Sequence, residues 1–244
     1  MGYAIQICGW AVGLPLELLI VAALIGGLYR RFPFLFAYVV ALFLATVVEI
    51  PVNVAYYRGD QQAFRSRAWT YWLDEAVLLP LVILVVLSLL WRASARLPSR
   101  RVLRVCLIAG GLLAAAGAFW AHYDPHAHVI GEWMTPWTRD LYFGSAVLDV
   151  ALWVLLLGAR EKDRLLLALA GALGIQFTGE AIGDSIRYLA VSLFGGATPH
   201  GYGVAFVGSV LTMTASLACL YIWWRTLRRA SPGAVQTQRD GGSC

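Results

Sequence analysis

Three ionisable side chains, Glu180, Asp184 and Arg187, lie inside the apolar stretch 165–194. Their i, i+4 and i+7 spacing puts them on one face of a helix. The stretch predicts a membrane-spanning helix, in which an Asp or Arg at the centre costs about 2.5 to 3.5 kcal/mol on insertion. Carboxylates and a guanidinium that a membrane helix retains despite this insertion cost could bind a cation, exchange protons or pair with each other.

Acids within other apolar stretches extend this group to a predicted ligand-binding set. Ionisable side chains inside a membrane usually face the interior of a bundle, so we expect a water-accessible acidic cavity. Arg187 is the expected counter-ion of Asp184, and Glu180 is the acid that is harder to neutralise. The alternative is structural, with acids that only accept hydrogen bonds from neighbouring helices. The set is Glu17, Glu49, Asp74, Glu75, Asp149, Glu180, Asp184 and Arg187.

The composition indicates the solvent in which these elements fold. The chain has 244 residues, of which 60% are hydrophobic and 14% charged, and its mean hydropathy is +0.69. Soluble domains carry roughly 25% charged residues. We therefore expect an integral membrane protein in contact with the lipid bilayer, with no room for a separate nucleotide-binding domain. The net charge of +5 lies largely in arginines of short loops, so no nucleic-acid partner is predicted.

The apolar pattern predicts an all-α bundle of seven transmembrane helices, because a span needs about 20 mainly apolar residues. Residues 1–229 form one domain, and the polar tail 230–244 is predicted to be disordered and cytoplasmic. The oligomeric state stays open. The predicted spans are 5–28, 34–57, 70–91, 103–122, 140–158, 165–194 and 202–224.

Arginine and lysine placement predicts the orientation of this bundle. Thirteen of these residues lie in the loops after spans 1, 3 and 5 or at the base of the tail, against four on the other side. The N-terminus is therefore expected outside and the C-terminus in the cytoplasm, in the cell inner membrane or plasma membrane. In this orientation the acids lie between the midplane and the outer surface, which predicts a cavity that opens outward.

Helix 6 also carries Gly179 and Gly183 in a GxxxG pattern. Small residues at this spacing allow two helices to approach closely within a membrane. The pattern predicts that helix 6 is central and that its Glu180 face is held against neighbouring helices.

One histidine-rich loop follows helix 4 and reads HYDPHAHVIGE. Imidazole and carboxylate groups suit zinc and other divalent metals. Two alternatives stay open: a protonation-sensitive lid and an ordinary interfacial loop. The candidate metal ligands are His122, Asp124, His126 and His128.

No cofactor is predicted apart from this possible metal. Lys162, the single lysine, falls in a loop and leaves no helix with an amine for a retinal Schiff base. No pair of histidines lies within the predicted spans, which argues against b-type haem.

Three functions fit the acidic cavity. The first is binding, sensing or transport of a small cationic or amphipathic ligand, since the acids outnumber Arg187. The second is an acid–base enzyme acting on a lipid or isoprenoid, with Glu49 or Glu180 as the catalytic acid. The third is a non-catalytic subunit of a larger membrane complex.

A family resemblance supports the enzyme hypothesis. The chain's size, its seven predicted helices and Glu49 near the end of helix 2 look similar to small membrane-embedded terpene cyclases. The resemblance implies that Glu49 protonates an isoprenoid. Those enzymes also use an acid in the last helix, whereas the stretch 202–224 contains none.

Overall fold

A computed structural model describes residues 2–94, 100–123, 131–158, 163–194 and 199–230. These residues form seven helices and confirm the all-α bundle. The helix α1 continues past its last α-helical residue as a π-helical turn, Leu24–Leu28. The helices are α1 (Gly2–Ala23), α2 (Pro33–Tyr57), α3 (Gln61–Ala93), α4 (Arg100–His122), α5 (Gly131–Gly158), α6 (Arg164–Phe194) and α7 (Pro199–Ala230).

Six helices are long and apolar enough to span a membrane, as predicted. In α4 the apolar stretch is shorter, Ile108–His122, so a seventh span stays a prediction. Two helices begin earlier than the hydropathy pattern indicates, α3 at Gln61 and α5 at Gly131. Their first turns are polar, and hydropathy detects only the apolar part of a helix. Ala230 ends α7, and the rest of the predicted tail lies outside the described residues.

The six long helices form a closed ring. Going round it, α1 packs against α2, α2 against α3, α3 against α5, α5 against α6, α6 against α7 and α7 against α1. The helix α4 packs on the outside of this ring, against α5 and α3. Its peripheral position leaves Leu113 72% and Trp120 85% exposed. A site enclosed by the ring therefore receives side chains from helices other than α4.

The apolar core is densest around α6, whose Leu169, Leu173 and Phe177 are almost completely buried. Gly179 and Gly183 of α6 face α7. A Cβ atom at Gly179 would lie 2.1 Å from the Cβ of Ala215, and one at Gly183 would lie 2.1 Å from Thr212 Oγ1. The structure thus confirms that these glycines serve close helix packing.

The start of α6 is fixed by Asp163. Its Oδ1 accepts hydrogen bonds from the backbone N–H groups of Leu165 at 3.1 Å and Leu166 at 3.2 Å. These donors have no partner within the helix, so a carboxylate at this position caps the N-terminus. The Asp163 Oδ2 also lies 3.5 Å from Arg31 Nη2, which ties the α1–α2 loop to α6.

Replacing this cap should destabilise the bundle measurably. We expect Asp163→Ala to lower the free energy of unfolding by about 1 kcal/mol, the usual cost of losing an N-cap. Asp163→Asn is the matched control, because an amide oxygen still caps the helix. The half-exposed ion pair with Arg31 should contribute little. Equal losses in both variants, measured by denaturant titration in bicelles, would instead assign the effect to that ion pair.

Candidate functional site

A cavity of about 220 Å³ lies inside the ring of helices. Five of the six ring helices contribute to its wall. The lining residues are Tyr38, Leu42, Ala45, Thr46 and Glu49 of α2; Tyr71, Asp74, Glu75, Leu78, Leu79 and Val82 of α3; Tyr142 of α5; Gln176 and Glu180 of α6; and Ser216 and Leu220 of α7.

The helical repeat explains why these residues share one wall. In α2 the lining positions recur at intervals of three or four residues from Tyr38 to Glu49, and in α3 they do so from Tyr71 to Val82. This spacing defines a single face of each helix. Gln176 and Glu180 are likewise one turn apart on α6, so one side of the helix faces the cavity.

Four acids line this cavity: Glu49, Asp74, Glu75 and Glu180. They come from three helices that are separated in the sequence. Asp74 interacts electrostatically with Glu49, and Glu180 does so with Glu75. No basic residue is present among the described residues that line the cavity. The wall therefore concentrates groups that become negative when ionised, without a cation in the lining to balance them.

Two of these acids are held by hydroxyl groups from other helices. The Tyr142 hydroxyl donates to Glu75 Oε2 at 3.1 Å, and Ser216 Oγ donates to Glu180 Oε1 at 3.2 Å. Glu75 also contacts the Tyr71 side chain, one turn earlier on α3. These contacts orient both carboxyl groups within the cavity wall.

The two ends of the cavity differ in exposure. Because α2 and α3 are antiparallel neighbours, Glu49 and Tyr71 lie towards one end, and Tyr38 and Val82 lie towards the other. Tyr71 is 40% exposed, whereas Tyr38 and Val82 are each 3% exposed. The lining is therefore more exposed at its acidic end, which we call the accessible end, than at the opposite end, which we call the floor.

Hydrogen bonds and an aromatic contact build the floor. The Gln176 side chain donates from Nε2 to the Tyr38 hydroxyl at 3.1 Å, which joins α6 to α2. Trp223 packs edge-on against Tyr38 with ring centroids 6.0 Å apart. Its indole N–H donates to the Leu169 carbonyl oxygen at 3.2 Å. Three helices are thus linked beneath the cavity.

Asp184 and Arg187 form the predicted ion pair on α6. The two residues are absent from the cavity lining. Both interact electrostatically with Tyr71, which lines the accessible end. The pair therefore lies beside that end, and Asp184 is the acid that forms the ion pair with the Arg187 guanidinium.

Glu17 and Asp149 are buried outside the cavity lining. Glu17 is 3% exposed, and its Oε1 lies 3.4 Å from Thr46 Oγ1, a hydroxyl of the cavity wall. Asp149 is 2% exposed and lies against Gly174 of α6. The predicted ligand-binding set thus divides into four lining acids, an ion pair beside the accessible end and two separately buried acids.

The histidine loop is described only at its beginning. His122 Nε2 lies 2.8 Å from Asp140 Oδ2, and Arg139 Nη2 lies 3.4 Å from Asp140 Oδ1. Asp124, His126 and His128 lie outside the described residues. Within the part of the chain that the structure describes, no three His, Cys, Asp or Glu side chains form a group suited to a metal. A divalent metal at this loop stays a prediction.

Sequence reasoning missed the polar, uncharged half of the site. Gln176 lies one turn before Glu180 on the same helix, so extending the i, i+4 pattern backwards would have found it. Tyr38, Tyr142 and Ser216 offer no such signal, because tyrosine and serine are ordinary residues of apolar helices.

Comparison with protein-family models, curated proteins and solved structures finds no match to this chain. The class of protein is therefore defined by its architecture. The chain is a helical bundle with six helices of membrane-spanning length and apolarity, the architecture of a multi-pass membrane protein. Its distinguishing feature is an interior cavity lined by four acids.

Proposed function

We propose that this protein binds a small cationic ligand in the acidic cavity, for sensing or for transport across the membrane. The observation that carries the proposal is the convergence of Glu49, Asp74, Glu75 and Glu180 on one cavity with no basic side chain in its described lining. Neighbouring carboxylates repel one another in a medium of low dielectric constant. A bound cation relieves that repulsion.

The rest of the lining supports an organic cation. Tyr38, Tyr71 and Tyr142 place aromatic rings around the same space, and the faces of such rings attract ammonium and guanidinium groups. The leucines and Val82 provide apolar surface for a short hydrocarbon group. This combination fits a small amphipathic amine, with its charge near the acids and its apolar part near the floor.

The volume limits the size of the ligand. The cavity volume of about 220 Å³ lies below the range of pockets for drug-sized ligands. Ligand pockets for drug-sized molecules occupy about 300–1,000 Å³. The cavity is thus matched to a compact ion of a few heavy atoms.

The orientation of the bundle gives this binding a direction. The positive-inside rule assigns the accessible end, next to the α2–α3 loop, to the outer side of the inner or plasma membrane. The ligand then enters from outside the cell. A floor closed by the Tyr38–Gln176 hydrogen bond suits a sensor or the outward-facing state of a transporter.

Proton transfer to an isoprenoid is the second candidate function. It is supported by one observation: Glu49 and Glu180, the two candidate catalytic acids, line the same cavity. The small volume favours the cation hypothesis, because a polyprenyl chain needs more space. Isoprenoid turnover by the purified protein, lost in Glu49→Gln, would instead favour the enzyme hypothesis over cation binding.

Cation binding can be tested with matched probes. The purified chain in lipid nanodiscs is titrated by calorimetry with butylammonium and guanidinium, and with the neutral and anionic counterparts butanol and butyrate. We expect butylammonium or guanidinium to bind, and butanol and butyrate not to bind. Equal affinity for butylammonium and butanol, or no heat with either cation, would contradict the proposal.

A further inference from the structure

Asp149 and Ser145 form a second polar site away from the cavity lining. They lie one turn apart on α5, and each is only 2% exposed. The Asp149 Oδ1 and the Ser145 Oγ have no hydrogen-bond partner among the described residues. Buried oxygen atoms without a partner are costly, and the cost is largest for an oxygen of a charged carboxylate.

The neighbouring helix is shaped to receive this carboxyl group. A Cβ atom at Gly174 of α6 would lie 2.7 Å from Asp149 Oδ2, so only glycine leaves room for it there. One turn along α5, Trp153 makes the same kind of contact with Gly171. The interface thus places Asp149 against backbone, where α6 presents no side chain to neutralise its charge.

The titratable surroundings of Asp149 are sparse. From α7, the buried Cys219 thiol interacts electrostatically with it, while α6 presents the Gly174 backbone and α5 the Ser145 hydroxyl. Among the described residues, no basic side chain interacts with Asp149. A bare carboxylate in such a place costs several kcal/mol, and a proton is the smallest occupant that removes the charge.

Gly174 also connects this site with the cavity. It lies against Asp149 Oδ2 and is only two residues before Gln176, which lines the cavity at its floor. A charge at Asp149 is therefore close to the cavity and separated from it by apolar interior, where screening is weak.

We propose that Asp149 is a proton-binding site separate from the cavity, and that a cation entering the cavity is exchanged for its proton. In this exchange the O–H bond of Asp149 breaks, its electron pair stays on the carboxylate, and the proton leaves to bulk water. The incoming positive charge replaces the one that departs, so the net charge of the bundle is unchanged. The exchange step rests on the proposed function, whereas the proton site does not.

The proton site is tested by infrared spectroscopy of the full chain in nanodiscs with isotopically labelled aspartate, which separates Asp carboxyl bands from Glu bands. We expect a protonated Asp band near neutral pH that disappears in Asp149→Asn and persists in the control Asp140→Asn. In Asp149→Glu the protonated carboxyl belongs to an unlabelled glutamate, so its band should appear at the unlabelled frequency. A labelled band that survives in both Asp149 variants overturns the proposal, with or without a ligand.

The exchange is tested by proton release into weakly buffered solution when butylammonium is added. We expect the wild-type chain to release about one proton more per bound cation than Asp149→Asn does. By the same linkage, butylammonium affinity should fall as pH falls, and less steeply in the variant. Binding with identical proton release in both proteins overturns the exchange. Absence of any cation binding instead overturns the proposed function and leaves the infrared result to decide the proton site.

Discussion

Glu75→Gln and Glu180→Gln are each expected to weaken binding of a cation in the cavity by about tenfold to a hundredfold, on the scale of about 1.5 to 3 kcal/mol for a hydrogen bond to a charged group. Both substitutions keep the size of the side chain and its hydrogen-bond acceptor. The Tyr142 and Ser216 hydroxyl groups thus retain a partner. The measurement is calorimetric titration with butylammonium in nanodiscs.

The matched control is Glu17→Gln, the same chemical change at a buried acid outside the lining. It should have a much smaller effect, because Glu17 reaches the cavity only through the Thr46 hydroxyl. Effects of equal size at Glu17 and Glu75 would show that the total charge of the bundle decides binding. No loss at either Glu75 or Glu180 would remove the cavity as the ligand site.

Gly183→Ala is expected to lower the free energy of unfolding by about 2 kcal/mol or more, after the gain in helix propensity is subtracted. The new methyl group would lie 2.1 Å from Thr212 Oγ1 and 2.9 Å from the Gly208 carbonyl oxygen. The hydroxyl could rotate away, but the carbonyl belongs to the backbone of α7. Relief therefore requires the two helices to separate.

Gly144→Ala on α5 is the control, since a Cβ atom there meets nothing within 4 Å. It should leave stability unchanged or raise it by up to about 1 kcal/mol, because alanine favours the helix over glycine. Denaturant-induced unfolding in bicelles measures both variants. A Gly183→Ala protein as stable as the wild type would show that α6 and α7 can separate at little cost.

The sequence was sufficient to predict the helical bundle and its six helices of membrane-spanning length, because each is a long apolar segment and hydropathy is additive along the chain. It was less informative about α4, whose first turns are rich in arginine and whose apolar stretch is short. The Asp184–Arg187 pair was predictable from i, i+3 spacing alone, since both residues lie on one helix.

Convergence between helices could not be read from the sequence. Glu17, Glu49 and Asp149 have the same chemical character and similar depth along their helices, and nothing in their local sequence distinguishes a lining acid from a buried one. The difference depends on how each helix is rotated in the ring. Rotation is decided by contacts such as Gly174 against Asp149, which involve residues that are distant along the chain.

The ring of helices also has a consequence for synthesis, because it closes between the first helix and the last. A nascent chain that has been made only as far as α6 already carries Glu49, Glu75 and Glu180. It still lacks the α7 wall, including the Ser216 hydroxyl that holds Glu180. Until α7 arrives, these acids face an incomplete enclosure. The wall of the acidic cavity is therefore complete only when α7 has joined the ring, and we expect docking of α7 to be a late step in folding of the bundle.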